Sequence, residues 1–411
     1  MPSNAANPTN MAAILKKIWP QDAVQDLFYE EAPLVAMLPK RTDWSGSTQE
    51  IILQYGQING RSNGFQQAKA NKQASKKTKM SISTSDNFAL WSVDHKLIAQ
   101  SRNDKGAVVR ALESETKSAM KKFKRSVCWQ VYGNGGGAIG QVATSTTVSG
   151  TALVFRSAQS LRNIDVGDIL VFSLDNGDPS ATQLGTLPGS VEVTGVDPET
   201  LTVTVSPALN SGCPTITTAC FVFPDGDYGT AIYGLDAYVP ATAPTTSLWS
   251  MSRTASKRRL GGIRVGGKGL LIQEAVKKAL KVAKDEGAST SHIFMSTDDF
   301  YNLEMNLGSG KQYCDEKVGS VGFTGIQFVS GGSKPVKVFA DADCPVNVIR
   351  GFQMDTWTMH SIGEYPDFLT MGSDRYMQEE ASNSFEGRIG GYAQLYTDAP
   401  GYNFRLDMTA T

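Results

Sequence analysis

The feature that most constrains the fold is a long segment whose two ends alternate like β-strands, while its middle is polar and free of acidic residues. Alternating apolar residues form both arms: Ile51, Leu53 and Tyr55 in the first, and Met80, Ile82, Phe88, Leu90 and Val93 in the second. Between 51 and 85 there is no Asp or Glu, but there are the basic residues Arg61, Lys69, Lys72, Lys76, Lys77 and Lys79. The pattern predicts a long two-stranded excursion with a basic tip. Because an isolated hairpin is marginally stable in water, it needs another surface to lie on.

Residues 1–38 also lack the means to form a core of their own. Pro20 and Pro33, followed by Pro39, limit any helix here to two or three turns. The apolar residues of this stretch include Ile14, Leu15, Ile18, Val24, Leu27 and Phe28. We expect a flexible arm over 1–10, followed by a stretch that lies over another surface.

The clearest helical pattern covers residues 104–132. Its apolar stripe is Val108, Leu112, Ala119, Phe123, Val127 and Val131. Asp104 is suited to cap the first turn, and the glycine-rich run from Gly133 to Gly137 ends the pattern. Such a helix is about 40 Å long.

The remainder mixes helices and strands. Residues 145–228 contain short strands and turns with little helical pattern, which is typical of a small antiparallel barrel or sandwich. Farther along, helices are predicted over Gly269–Glu286 and Asp298–Leu307, and strands over His292–Ser296, Ile326–Val329, Val336–Phe339 and Val346–Ile349. Since no regular β–α–β repeat appears, the predicted fold class is α+β.

Composition bounds the function. The chain of 411 residues is long enough for a large core without disulfides or metals. Residues 1–150 carry 19 Lys and Arg against 11 Asp and Glu, whereas residues 151–250 carry 2 against 10. This asymmetry suits contacts between different segments of neighbouring copies, although two domains that merely differ in charge would show it too.

The five cysteines have no CxxC spacing, no apolar run is long enough to span a membrane, and the N-terminus has no signal-peptide pattern. We therefore expect reduced thiols, a cytoplasmic site of synthesis and no membrane partner.

No constellation of residues predicts catalysis, a metal site or a cofactor. The run Gly262–Gly269 approaches the phosphate-loop pattern but has Gly269 where the pattern requires Ser or Thr, so a glycine hinge leading into a helix is the favoured interpretation. His95, His292 and His360 lack partners at metal-site or triad spacing. The basic tract 61–79 has Phe65 as its only aromatic residue, which is a weak basis for nucleic-acid stacking.

The order of these segments resembles the major capsid proteins of tailed bacteriophages, which have the Hong Kong 97-like capsid fold. The resemblance covers nearly the whole chain and rests on several stretches: Pro39 to Tyr55 running into Gly60-Arg61-Ser62, Gly106 to Gly135, Ile232 to Asp236, Gly269–Ala283 with Ile293–Ser296 and Asp299-Phe300, Val336–Asp341, and Gln394-Leu395 with Pro400. It implies an α+β capsid fold with an N-arm, an E-loop, a spine helix, and peripheral and axial domains, plus an inserted small all-β domain.

The resemblance also implies boundaries and contacts. The expected segments are an N-terminal arm (1–40), the E-loop (41–95), a peripheral domain with the spine helix (96–144), the inserted β domain (145–228), an axial domain with connecting loops (229–365) and a return to the peripheral domain (366–411). Inter-subunit contacts are expected from the E-loop residues Arg61, Lys69, Lys72, Lys76, Lys77 and Lys79, and from the N-arm residues Ile14, Ile18, Leu27 and Phe28.

The implied function is a non-enzymatic shell protein without a cofactor. Its expected partners are further copies of itself in pentamers and hexamers, a separate scaffolding protein and a portal during assembly, a decoration protein, and packaged double-stranded DNA held by non-specific phosphate contacts. The expected location is the virion capsid, assembled in the host cytoplasm. Two alternatives stay open: an encapsulin-type protein compartment, and a nucleotide- or nucleic-acid-binding enzyme that uses Gly262–Gly269.

Overall fold

The computed structural model describes residues 32–95, 105–307, 313–318, 321–328, 335–370, 376–378 and 383–410; of residues 105–114, 317–318 and 321–322 it describes the backbone only. The helices are α1 (Pro33–Met37), α2 (Phe65–Ala70), α3 (Lys105–Tyr132), α4 (Ala158–Leu161), α5 (Leu209–Gly212), α6 (Leu235–Tyr238), α7 (Ile272–Asp285) and α8 (Thr297–Leu307).

The strands up to the middle of the chain are β1 (Lys40–Arg41), β2 (Gln49–Gly56), β3 (Lys76–Ile82), β4 (Ser85–Asp94), β5 (Gly140–Gln141), β6 (Ala152–Val154), β7 (Ile169–Ser173), β8 (Val191–Asp197), β9 (Thr202–Ser206), β10 (Phe221–Pro224), β11 (Ser247–Leu248) and β12 (Met251–Ser252). The later strands are β13 (Ile263–Gly266), β14 (His292–Met295), β15 (Tyr313–Val318), β16 (Val321–Phe328), β17 (Val336–Ala340), β18 (Val348–Phe352), β19 (Trp357–Ser361), β20 (Asp367–Phe368), β21 (Tyr376–Gln378), β22 (Ser384–Thr397) and β23 (Phe404–Asp407).

The predicted long helix is confirmed as α3. It has 28 residues and is therefore about 40 Å long. Phe123, Val127 and Val131 are buried along one stripe, as the periodicity predicted. The helix ends at Tyr132, and Gly135 and Gly137 beyond it have positive φ angles that suit glycine. The proposed cap Asp104 lies outside the described residues.

Helix α3 packs on a six-stranded sheet, the peripheral sheet, made of β1, β4 and β19 to β22. Strand β4 pairs antiparallel with β22 over ten positions, from Ser85↔Ala393 to Asp94↔Ser384. The prediction of one second arm running from Met80 to Val93 is therefore wrong, because the arm is two strands. β3 stays in the hairpin, whereas β4 buries Trp91 and Val93 in the shared core beneath α3.

The predicted β insertion is a closed barrel, which we call the β module (β5 to β10). Its strand order is β5-β10-β7-β8-β9-β6, and an antiparallel bridge from Val142 to Phe155 joins the two ends of that order. Closure leaves no long sheet edge exposed. The module has its own apolar core, which includes Phe155, Phe172 and Val222.

A seven-stranded sheet, the axial sheet, has the order β13-β23-β18-β14-β17-β16-β15. Helix α7 buries Ile272, Ala275, Val276 and Ala279 against it, and α8 lies beside α7. The helices and strands predicted between Gly269 and Ile349 are confirmed within a few residues at their ends. The chain crosses between sheets late in the sequence, since β19 lies in the peripheral sheet and β23 in the axial sheet. The exact segment boundaries stay predictions.

Candidate assembly surfaces

The hairpin of β2 and β3 has a tip that does not pack into the hydrophobic cores of the described chain. The ladder runs from Gln49↔Ile82 to Gly56↔Lys76, and a further bridge joins Asn59 to Gln73. Beyond it, the short helix α2 buries none of its residues. Ile58 is 74% exposed and Phe65 is 80% exposed, so the tip presents two apolar side chains to solvent.

All six predicted basic residues are exposed on this hairpin. Lys79 pairs with Glu50 across the ladder at 2.6 Å. Arg61, Lys69, Lys72, Lys76 and Lys77 have no acidic partner among the described residues. The structure thus places all six residues on one hairpin, with Arg61, Lys69 and Lys72 beyond the ladder and Lys76, Lys77 and Lys79 on β3. The predicted arm residues Ile14, Ile18, Leu27 and Phe28 lie outside the described residues.

The base of the hairpin, unlike the tip, rests on its own chain. Leu53, Met80 and Ile82 are buried in the core shared with α3 and the peripheral sheet. The Ser81 N–H donates to the Trp249 carbonyl at 3.1 Å, and Arg259 Nη1 donates to the Tyr55 carbonyl at 2.8 Å. The expectation that the hairpin needs a foreign surface therefore applies only to the part beyond Gly56.

A groove that the sequence did not predict lies at the other end of the hairpin. We call it the module groove: a cavity of about 1000 Å³ between residues 83–89, one face of α3 and the β module. Phe88 and Ile169 line it and are 47% and 48% exposed. Segments far apart in the sequence form it, and no local pattern in any one of them predicts that they meet.

Some of the charged side chains that line the module groove form ion pairs, and others are exposed. Lys122 pairs with Asp165 at 3.1 Å and also with Asp168, and Arg125 pairs with Asp165 at 3.2 Å. Asp86 and Asp225, by contrast, are exposed lining residues. Burial raises the pKa of Asp227 to about 6, with Lys122 opposing that shift. Because the groove's two cations are already paired, its uncompensated charge is negative.

A buried carboxyl group joins α1, α3 and the axial sheet. Asp341, directly after β17, accepts hydrogen bonds from the Tyr132 hydroxyl at 2.9 Å and from the Leu34 N–H at 3.4 Å. The Asp343 N–H donates to its other oxygen at 3.0 Å. Burial raises the pKa of Asp341 to about 6, so the junction holds a carboxyl group that ionises close to neutral pH.

Comparison with solved structures identifies the fold. No protein-family model matches the sequence, and no curated protein matches it. The capsid asymmetric unit of cyanophage A-1(L) is similar over 92% of this chain and 93% of its own, with 14% identity and a TM-score of 0.50. This chain has the fold of a phage capsid protein.

Two other solved assemblies are similar at lower scores. The capsid of a native GTA particle matches with 9% identity over 92% of this chain and 90% of its own, at a TM-score of 0.47. The holo-SrpI encapsulin complex of Synechococcus elongatus matches with 9% identity over 91% and 86%, at a TM-score of 0.41. The fold class predicted from the sequence is confirmed by the cyanophage match.

Within this capsid fold, the phosphate-loop candidate is part of a sheet. Ile263–Gly266 forms β13, parallel to β23. The Gly267 N–H donates to the Asp407 carbonyl and the Lys268 N–H to the Ala410 carbonyl, both at 2.9 Å. A phosphate-binding loop needs such N–H groups free to face the ligand. The nucleotide-site hypothesis therefore lacks its geometric basis.

One serine–histidine–acid chain occurs in the axial sheet. His292 Nδ1 lies 2.8 Å from Ser291 Oγ, and Nε2 lies 3.1 Å from Glu316 Oε2. The Ser291 hydroxyl also lies 3.2 Å from the Phe352 carbonyl and accepts from the Met354 N–H at 3.2 Å. Because these bonds use the hydroxyl's capacity for hydrogen bonding, we interpret the chain as a link between strands.

The described residues offer neither a cluster of metal ligands nor a membrane-spanning helix. Among the residues that the structure describes, no group of three or more His, Cys, Asp or Glu side chains is placed to hold a metal ion. Likewise, no helix in the described part of the chain is long and apolar enough to cross a membrane. The five cysteines are free thiols.

Proposed function

We propose that this chain is the major capsid protein of a tailed phage, a structural protein that assembles into pentamers and hexamers of an icosahedral shell around double-stranded DNA. The observation that carries the proposal is the capsid fold combined with a hairpin whose basic and apolar tip packs on none of the described residues outside the hairpin. Exposed apolar surface of this kind marks an interaction site, which a neighbouring copy can cover.

The expected contacts follow from this proposal. The E-loop residues would lie against neighbouring subunits: Arg61, Lys69, Lys72, Lys76, Lys77 and Lys79. The arm residues Ile14, Ile18, Leu27 and Phe28 would do the same. A separate scaffolding protein, a portal and a decoration protein are the other proposed partners. DNA would meet the inner surface through phosphate charge alone. The proposed location is the virion capsid, after assembly in the host cytoplasm.

Sedimentation velocity of the purified full-length chain tests the proposal. We expect species of capsomer size or larger that are in equilibrium with the monomer and that grow with concentration. A chain that stays monomeric at high concentration, both alone and in the presence of its scaffolding protein, would contradict a shell function. Analysis of the contents of particles made in cells separates a phage shell from an encapsulin-type compartment, since the latter encloses protein cargo in place of DNA.

A further inference from the structure

We propose that the module groove of one copy receives the hairpin tip of a second copy of this chain. The inference rests on the proposed function, because it names which two surfaces of neighbouring subunits meet. The hairpin tip is residues 57–75, and the module groove is the cavity between residues 83–89, α3 and the β module.

The chemistry of the tip defines what it can bind. Arg61, Lys69 and Lys72 are exposed there, and no acidic residue lies in the tip. Ile58 and Phe65 add apolar surface that nothing in the described chain covers. A complementary site must therefore offer unpaired carboxylates beside apolar side chains, in a concave surface that removes both from water.

The module groove has this composition. Asp86 and Asp225 stand exposed in its lining, while Lys122 and Arg125 are occupied by Asp165 and Asp168. Phe88 and Ile169 supply apolar surface in the same lining. The carboxylates of the groove can therefore pair with the lysines of the tip, and its partly exposed apolar side chains can contact Ile58 and Phe65.

The geometry of the hairpin makes this contact intermolecular. Its base adjoins the groove, because Ile82 closes the ladder and residues 83–85 line the cavity. The ladder from Gln49 to Gly56 spans about 23 Å at the usual rise per residue, and the tip lies beyond it. The tip is held away from its own groove, so it can reach such a groove only on another copy.

A contact between two different surfaces has a consequence for assembly. The tip of one copy occupies the groove of the next, and the groove of the first is filled by a further copy. Such head-to-tail contacts produce closed rings when the rotation between copies closes. The proposed contact is therefore of the type that builds capsomers or links them into a shell.

Zero-length coupling tests the contact in the unmodified protein. A water-soluble carbodiimide joins lysine amines to carboxylates that touch, and mixing ¹⁴N- and ¹⁵N-labelled chains distinguishes links between copies. We expect inter-copy links from Lys69 or Lys72 to Asp86 or Asp225 in assembled particles and none in monomer. Particles whose tip lysines couple only to carboxylates outside the groove, such as Glu192 or Glu199, would overturn the proposal.

Charge exchange provides the second test. Lys69→Glu with Lys72→Glu, or Asp86→Lys with Asp225→Lys, should each lower the yield of assembled particles at least tenfold, and combining the four changes should restore much of it. The matched control is Glu192→Lys with Glu199→Lys, which makes the same charge change on the exposed side of the β module and should assemble normally.

The outcomes separate the two proposals. If wild-type chains assemble but the tip and groove variants assemble equally well, the docking is wrong and the shell function stands. If the control variant fails as severely as the groove variant, the effect is one of net charge and the docking is again wrong. If wild-type chains never assemble, the proposed function fails and the docking fails with it.

Discussion

At the scale of single residues, Asp341 shows how burial connects packing with pH. Its carboxyl group has a pKa near 6 in the folded chain, against 3.8 for an unperturbed group. Because folding raises the pKa of this carboxyl group, the group contributes stability at pH values below its pKa in the unfolded chain. That contribution is lost as the pH rises through its pKa in the folded chain. The junction with Tyr132 and Leu34 should therefore be stronger at pH 5 than at pH 7.5.

The variant Asp341→Asn tests this account. Asparagine keeps an acceptor for the Tyr132 hydroxyl but does not titrate. From pH 5 to pH 7.5, the free energy of unfolding of the wild type should fall by about 1.5 kcal/mol more than that of the variant. Urea unfolding of the unassembled chain measures both. The exposed control Asp298→Asn should follow the wild type, and an equal pH dependence in Asp341→Asn and wild type would contradict the account.

A second residue-scale prediction concerns Lys268. Because the N–H groups of Gly267 and Lys268 already donate to Asp407 and Ala410, we expect ATP with Mg²⁺ to leave the thermal unfolding temperature unchanged. A ligand at 100 times its Kd would stabilise the fold by about 2.7 kcal/mol. A rise in unfolding temperature with ATP that Lys268→Ala removes would revive the enzyme alternative.

At the scale of elements, the β module should fold without the rest of the chain. Its barrel closes on itself, and its core is separate from the other two. We expect residues 137–228, expressed alone, to unfold cooperatively in urea as followed by circular dichroism. Phe172 is fully buried in this core, so Phe172→Ala should cost about 3–5 kcal/mol. The exposed change Thr204→Ala should cost less than about 0.5 kcal/mol. A fragment without a cooperative transition would show that the module depends on α3.

The hairpin tip should behave in the opposite way, as an element important for assembly and unimportant for folding. Replacing residues 57–75 by Asn-Gly removes no buried side chain from the three apolar cores and shortens a loop. We expect the free energy of unfolding to change by less than about 1 kcal/mol, while sedimentation shows loss of assembled species. A matched Asn-Gly variant that replaces only 61–64 should retain α2 and part of the assembly. Normal assembly without the tip would contradict its proposed role.

These elements also show what the sequence could and could not predict. Helix α3 and the hairpin ladder follow from local periodicity, and the β module follows from its turns and short strands. The pairing of β4 with β22 depends on residues far apart in the chain, and no local pattern distinguishes it from a continued hairpin arm. The module groove was missed for the same reason, since Phe88, Lys122, Ile169 and Asp225 meet only in the folded chain.

At the scale of the whole molecule, the central claim is that this capsid fold is a shell subunit. The chain divides its charge between a basic hairpin tip and an acidic β module. An arrangement of this kind favours unlike surfaces of neighbouring copies over like ones. Under the proposed function, the molecule is one repeat of a closed assembly, and it needs contacts that a single copy cannot make.

Cryo-electron microscopy of the purified full-length chain, expressed alone and with its scaffolding protein, tests this claim most directly. The account predicts closed shells or capsomer rings with five-fold and six-fold centres, in which density for the hairpin tip crosses into the adjacent subunit. Discrete particles of one or a few chains in both preparations would contradict it.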